Sequence, residues 1–131
     1  MRARQSLYAT SATVAKTFDL HVSEMALLDT LGKYGPMSMG QLAELSFSSA
    51  PNATYTVRGL EKRGLAKRER SRESNRNVNV SLTTDGKKLY KKTYAQTVGA
   101  VNAQLAEKLN KQERKTLGKL LVLLNDDSPD A

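Results

Sequence analysis

Residues 77–89, with the sequence NVNVSLTTDGKKL, change their hydrophobic period halfway along. Up to Leu82 apolar residues alternate with polar ones, which is the period of a strand with one buried face. From Thr83 onward a polar cap, a glycine and two lysines are typical of the start of a helix. The stretch therefore predicts a short strand that leads directly into a long helix.

A second strand precedes it, so the two form a β-hairpin. The pattern predicts strands at about 65–70 and 77–82, connected by the polar loop 71–76, SRESNR. This loop carries Arg72 and Arg76. The hairpin is thus predicted to hold two arginines at its tip.

The rest of the chain has helical spacing. Ser38 and Gln41 have the spacing of a capping box, and Pro51 suits the first turn of the helix that follows. The predicted helices cover about 5–18, 23–34, 38–46, 49–63, 83–109 and 110–124. Their predicted inward residues include Leu42, Leu45, Ala53, Val57, Leu60, Leu117, Leu120, Leu121 and Leu124.

The positive charge is concentrated around the hairpin. The chain has a net charge of +8, and 12 basic and 4 acidic residues lie between Arg58 and Lys92. That segment alone accounts for +8, so the remaining residues are neutral as a group. A solvated basic face is the ordinary explanation of such a run, but this concentration favours a polyanion, and double-stranded DNA over an anionic membrane.

Several function classes are disfavoured by composition. The chain has no cysteine, which excludes disulfides, thiolate metal sites and thiol redox sensing. Its single histidine, His21, has no ligand cluster around it, and no phosphate-binding glycine loop is present. No apolar run approaches the roughly 20 residues needed to cross a bilayer. We therefore expect a cytoplasmic protein that is not an enzyme and uses no metal or cofactor.

A short helix, a turn, a polar-faced helix and a basic hairpin together form a winged helix-turn-helix. The fold class is thus mainly α, with an α+β winged helix at its centre. The major groove of DNA admits one helix and displays distinct donor and acceptor patterns, whereas a thin arginine-bearing loop suits the narrow minor groove. Sequence-specific binding to DNA is the first hypothesis.

Two motifs in this order give the chain a family resemblance. LEKRGL at 60–65 and VSLTTDG at 80–86, with a polar arginine-bearing wing between them, resemble the MarR family of bacterial transcription regulators. The resemblance implies a single MarR-like domain over 1–131, with a winged-helix part at about 20–90 and dimerisation helices at 1–19 and 91–125. Where the family usually has an acid two residues before the wing arginine, this chain has Ser74.

The resemblance also implies a role for individual residues. It makes 49–63 the recognition helix and 70–78 the wing. The implied DNA-contacting residues are Ser49, Asn52, Thr54, Tyr55, Arg58, Arg72 and Arg76. From the residues alone, Thr54 could instead only stiffen the helix, and Arg58 could instead pair with Glu61 or Glu69.

Members of the family often release DNA when a small aromatic or anionic effector binds. By resemblance the chain is a homodimeric repressor released in this way, with His21, Met25, Met37 and Met39, and Tyr8 or Phe18, as the candidate effector site. The alternative is that the methionines are core filler. The alternative function is a winged-helix interaction module, architectural or anti-regulatory, without operator specificity.

Overall fold

The computed structural model describes residues 2–70 and 77–125. The chain divides into two compact units, Met1–Thr97 and Val98–Ala131. In chain order the elements are α1 (Arg2–Thr17), α2 (Val22–Tyr34), β1 (Met37–Ser38), α3 (Met39–Leu45), α4 (Ala50–Lys62), β2 (Ala66–Arg70), β3 (Val78–Leu82), α5 (Thr84–Ala106) and α6 (Lys111–Asn125). The predicted helices and the two strands of the hairpin are confirmed, with ends displaced by a few residues.

The first unit contains a three-stranded antiparallel sheet in the order β1-β3-β2. In the hairpin Ala66 pairs with Leu82 and Arg70 pairs with Val78. Val80 is fully buried and Leu82 is also buried, so these two residues of β3 face the core as predicted, whereas Val78 at the start of the strand is exposed. The tip of the hairpin, 71–76, lies outside the described residues.

The strand β1 was not predicted. Met37 pairs with Val80 on the side of β3 that β2 leaves open. Ser38 then ends the strand and caps α3, where the predicted capping box with Gln41 is confirmed. A strand of two residues has no period of its own, so only its partner far along the chain identifies it.

Helices α2, α3 and α4 supply most of the core beside the sheet. Fully buried side chains of these helices include Leu27, Leu28, Leu42, Val57 and Leu60. The predicted inward face of α4 is therefore confirmed.

The prediction for Leu45 is wrong, because this side chain is exposed. The core face of α3 consists of the adjacent Leu42 and Ala43. Leu45 lies about 110° around the helix from the midpoint of those two.

Glycine is required at the start of α5. A Cβ at Gly86 would lie 2.0 Å from the carbonyl oxygen of Leu65. In the same region the Thr83 hydroxyl donates to the carbonyl of Gly64 at 2.6 Å and accepts from the backbone N–H of Gly86 at 3.1 Å. These contacts join the first residue after β3 to the turn that precedes β2.

The second unit consists of the end of α5 and helix α6. Asn110 and Glu113 form a reciprocal capping box, with the Glu113 N–H to Asn110 Oδ1 distance at 2.8 Å. The predicted inward leucines of α6 are wrong for a single chain: Leu117 is half-buried, whereas Leu120, Leu121 and Leu124 are exposed. No helix within 2–70 or 77–125 is long and apolar enough to cross a membrane.

Candidate nucleic-acid interface

Local chemistry fixes where α4 begins. The Ser49 side chain accepts a hydrogen bond from the backbone N–H of Asn52, at 3.3 Å, and Pro51 occupies the first turn. Both features satisfy or remove N–H groups that have no partner inside the helix. Ser49, Ala50, Pro51 and Asn52 are all exposed, so the first turn of α4 is open to a binding partner.

Three residues form a row on the exposed face of α4. Asn52, Tyr55 and Arg58 recur every three positions, and Tyr55 is 79% exposed. Residues three apart lie close together on a helix surface. The row combines an amide, a phenol and a guanidinium, which are all hydrogen-bonding groups.

Arg58, the cation in this row, is not paired with an acid among the described residues. Glu61, one of its two candidate partners, accepts a hydrogen bond from Arg68 at 2.9 Å. The other, Glu69, pairs with Lys67 at 2.9 Å. Both acids are therefore paired with basic residues of strand β2, and Arg58 has no ion pair within the described part of the chain.

Thr54 differs from the other predicted contacts. It is half-buried, and its hydroxyl donates to the carbonyl of Ala50 at 3.0 Å. This is the hydrogen bond that a threonine makes inside its own helix, four residues back. The geometry thus favours the helix-stiffening role for Thr54.

A brace holds the end of α4 against α2. Nη1 of Arg63 donates to Glu24 at 3.0 Å and to the carbonyl of Asp19 at 2.8 Å. Because Glu24 lies in the first turn of α2, the brace ties the two helices together at that end. The wing arginines Arg72 and Arg76 lie outside the described residues.

A groove of about 680 Å³ runs between α4 and the start of α2. Its lining includes His21, Ser23 and Glu24 from the α2 side, and Asn52, Tyr55 and Arg58 from α4. His21 caps α2, because its Nδ1 accepts from the backbone N–H of Ser23 at 3.2 Å. The exposed row of α4 therefore forms one wall of this groove.

A second cavity, of about 590 Å³, lies among α1, α2 and the α3–α4 turn. His21, Met25 and Tyr8 line it, whereas Met37, Met39 and Phe18 do not. Met37 is instead buried within the sheet, and Met39 is half-buried at the first position of α3. The structure thus brings together only part of the predicted effector site.

Asp29 is a feature of this cavity that the sequence did not indicate. It lines the cavity, and its Oδ1 is buried without a hydrogen-bond partner among the described residues. Burial raises the pKa of Asp29 from 3.8 to about 6. An acid at one position of an amphipathic helix gives no sign that its carboxylate will lie away from water.

Tyr90 of α5 packs closely against α2 near this acid. A Cβ at Gly32 would lie 2.4 Å from the Tyr90 ring, so the ring rests directly on the glycine. Burial raises the pKa of the Tyr90 hydroxyl, the charges of Asp29 and Tyr94 raise it further, and Lys33 opposes the shift. The surroundings of the Tyr90 hydroxyl thus disfavour its ionised form.

Comparison with known proteins places the chain in a family. The family model of the MarR family matches residues 20–78. The HTH-type transcriptional regulator YfiV of Bacillus subtilis is 30% identical over 107 residues, which are 82% of this chain and 66% of that protein. The chain belongs to the MarR family. Members of the MarR family are DNA-binding transcription regulators and not enzymes.

Solved structures share the MarR-family fold. A probable transcriptional regulator from Pseudomonas aeruginosa is 31% identical, with a TM-score of 0.73 over 94% of this chain and 91% of that one. NadR in complex with 4-hydroxyphenylacetate is 24% identical, with a TM-score of 0.79 over 97% of this chain and 89% of that one.

Among the residues that the structure describes, no group of three or more His, Cys, Asp or Glu side chains could hold a metal ion.

Proposed function

We propose that the chain acts as a homodimer that binds a specific site on double-stranded DNA and represses transcription there. A small aromatic or anionic effector releases it, and it works in the cytoplasm. The observation that carries the proposal is the exposed row Asn52, Tyr55 and Arg58, whose cation has no ion pair within the described residues. An interaction module without operator recognition has no need of such a row.

In the proposed complex α4 lies in the major groove. Arg58 suits the two acceptors of a guanine, and Asn52 suits the donor and acceptor of an adenine. The open first turn, with the Ser49 hydroxyl and free backbone N–H groups, suits a phosphate. The wing arginines Arg72 and Arg76 would then enter the minor groove.

Exposed apolar residues support a dimer. Residues 120–124, LLVLL, are between 49% and 73% exposed in the single chain. Leu7 and Tyr8 at the other end of the chain are exposed as well. A run of five exposed aliphatic residues is unfavourable in water, and a second copy of the same chain would cover it by symmetry.

The cavity lined by Asp29 is the proposed effector site. Its volume of about 590 Å³ suits a small aromatic molecule. The Asp29 carboxylate is a hydrogen-bond acceptor whose Oδ1 has no partner among the described residues, so an effector that reaches it needs a donor such as a hydroxyl group. The likeness to NadR, which was solved with 4-hydroxyphenylacetate, is consistent with such a ligand.

Selection of bound genomic fragments, followed by affinity measurements at several salt concentrations, tests the proposal. Arg58→Ala is expected to weaken binding to the selected site by about 1–3 kcal/mol and to relax discrimination at one base pair. Arg68→Ala is the matched control, because it removes the same charge from a strand residue that is already paired with Glu61. Equal losses from both variants, or no selection of any sequence, would contradict the proposal.

A further inference from the structure

Phe47, in the turn between α3 and α4, is 98% exposed. A phenylalanine side chain that stays in water does not gain the free energy that burial of its ring would provide. No described residue packs over this ring. Its backbone is also unusual, because its φ is 55°, in the left-handed region that favours glycine. The position is thus unfavourable for phenylalanine twice over.

The backbone hydrogen bonds show which motif imposes this conformation. The N–H of Phe47 donates to the carbonyl of Glu44 at 3.2 Å, and the N–H of Ser48 donates to that of Ala43 at 2.8 Å. This pair of bonds is the Schellman motif that ends a helix, and its left-handed position is usually glycine.

Two other described helices end in the same motif and have the apolar residue that usually follows it. After α1 the left-handed residue is Asp19, and after α4 it is Gly64. Each is followed by a buried leucine, Leu20 or Leu65. The motif at Phe47 is followed by a serine and so lacks both the favoured residue and the apolar contact.

The position of Phe47 indicates what covers it. The turn stands two residues before Ser49, which caps the open first turn of α4. The cavity that Phe47 lines shares Asn52 and His21 with the groove along α4. Phe47 therefore extends the exposed face of α4 beyond the N-terminal end of the helix. In a recognition helix, the residues at this end contact base edges.

We infer that Phe47 is a specificity-determining residue that contacts the C5 methyl group of a thymine in the major groove. The inference rests on the proposed function. The thymine methyl is the apolar feature of the major groove, and phenylalanine is among the side chains that contact it. Backbone strain at a site with no structural benefit is typical of a residue kept for binding.

Uracil substitution tests this contact, because uracil differs from thymine only in that methyl group. Each thymine of the selected DNA site is replaced in turn by deoxyuridine. Substitution at one thymine of each half-site should weaken binding of the wild-type protein about four-fold. This is the loss expected when one buried carbon group, which contributes ~0.8 kcal/mol, is removed. Phe47→Gly should bind the unmodified site about four-fold more weakly and respond to no uracil substitution.

Two further variants separate this role from a structural one. Phe47→Leu keeps an apolar side chain and should retain part of the dependence on the methyl group. Tyr34→Ala removes another exposed aromatic, 58% exposed at the far end of α2, and should retain all of it. Phe47→Gly should unfold at the same or a higher temperature, since glycine accepts the left-handed backbone.

The outcomes distinguish this inference from the function on which it rests. A wild-type protein that selects a DNA site but responds to no uracil substitution would overturn the inference alone. Phe47→Gly retaining the wild-type response would also overturn it, and a change confined to self-association or effector binding would assign Phe47 to another surface. Failure of the wild type to select any sequence would overturn both proposals.

Discussion

The guanidinium of Arg63, just beyond the last turn of α4, donates to the carboxylate of Glu24 in α2 at 3.0 Å. Both side chains are partly buried, with 35% and 22% of their surfaces exposed. Because the groups belong to the helix that carries the candidate interface and to the helix behind it, the pair fixes how α4 is presented.

Arg63→Ala should therefore lower both the free energy of unfolding and the affinity for DNA. We expect a loss of about 1 kcal/mol in stability, at the upper end for ion pairs that are partly exposed. Lys67→Ala removes an ion pair of similar length, 2.9 Å, that is more exposed, and it should cost close to nothing. Chemical denaturation of the single and double variants at Arg63 and Glu24 measures the coupling, and zero coupling would contradict this assignment.

Gly86 should tolerate no side chain. Gly86→Ala places a methyl group 2.0 Å from the Leu65 carbonyl, so the start of α5 must move and the loss should exceed about 2 kcal/mol. Gly59→Ala is the matched control in a helix with no atom within 4 Å of the new Cβ. There alanine should stabilise by up to about 1 kcal/mol. Thermal unfolding of the two variants should show shifts of opposite sign.

Asp29 should make stability depend on pH. Its pKa is raised to about 6 in the folded chain, so the folded state holds this proton more tightly than the unfolded state does. The stability from this group is therefore complete below about pH 4 and is lost as the pH rises through 6. Other titratable groups in this region are Lys33, Tyr90 and Tyr94, together with Tyr8 and His21, which line the same cavity as Asp29.

Asp29→Asn should remove this dependence. We expect the variant to match the wild type near pH 4 and to exceed its stability at pH 7.5 by roughly 1 kcal/mol, after allowance for solvent screening. Denaturation curves between pH 4 and 8 measure the difference. A gap that stays constant with pH would mean that the carboxylate is not titrating in this range.

The apolar face of α6 should hold the proposed dimer together. Leu117→Asp combined with Leu121→Asp places two charges on that face and should dissociate the dimer. Sedimentation should then give 14.4 kDa in place of twice that mass. Lys115→Asp changes the charge at an exposed position of the same helix and should leave the dimer intact. A wild-type monomer at micromolar concentration would contradict the proposal.

The sequence predicts those parts of the structure whose causes are local. The capping boxes of Ser38 with Gln41 and of Asn110 with Glu113 each depend on two residues three positions apart. Such spacing is visible in one sequence, and the predicted box of Ser38 with Gln41 is confirmed.

Other parts depend on partners that are distant in the chain. Arg63 pairs with Glu24 across 39 positions, and β1 exists only because Met37 meets Val80. The shifted pKa of Asp29 arises from burial among several elements. Since nothing near these residues in sequence marks the contact, only the folded chain shows it.

The wing and α4 should contribute to DNA binding in different ways. An arginine in the minor groove acts mainly through its charge beside the closely spaced phosphates. Arg76→Ala should therefore weaken binding to specific and non-specific duplexes by similar factors. It should also lower the slope of log affinity against log salt by about one unit.

Asn52, in the exposed row of α4, should behave differently if it reads a base edge. Asn52→Ala should cost about 1–3 kcal/mol on the specific site and relax the choice of base at one position, while non-specific affinity and the salt slope change little. Titrations of both variants against specific and random duplexes at several salt concentrations separate the two kinds of contact. If both variants lose affinity uniformly, the helix reads no base at Asn52. If Arg76→Ala has no effect, the wing takes no part in binding. The distinction is physical, because a charge interacts with every phosphate alike, whereas a side-chain amide satisfies its donor and acceptor together only against a matching base.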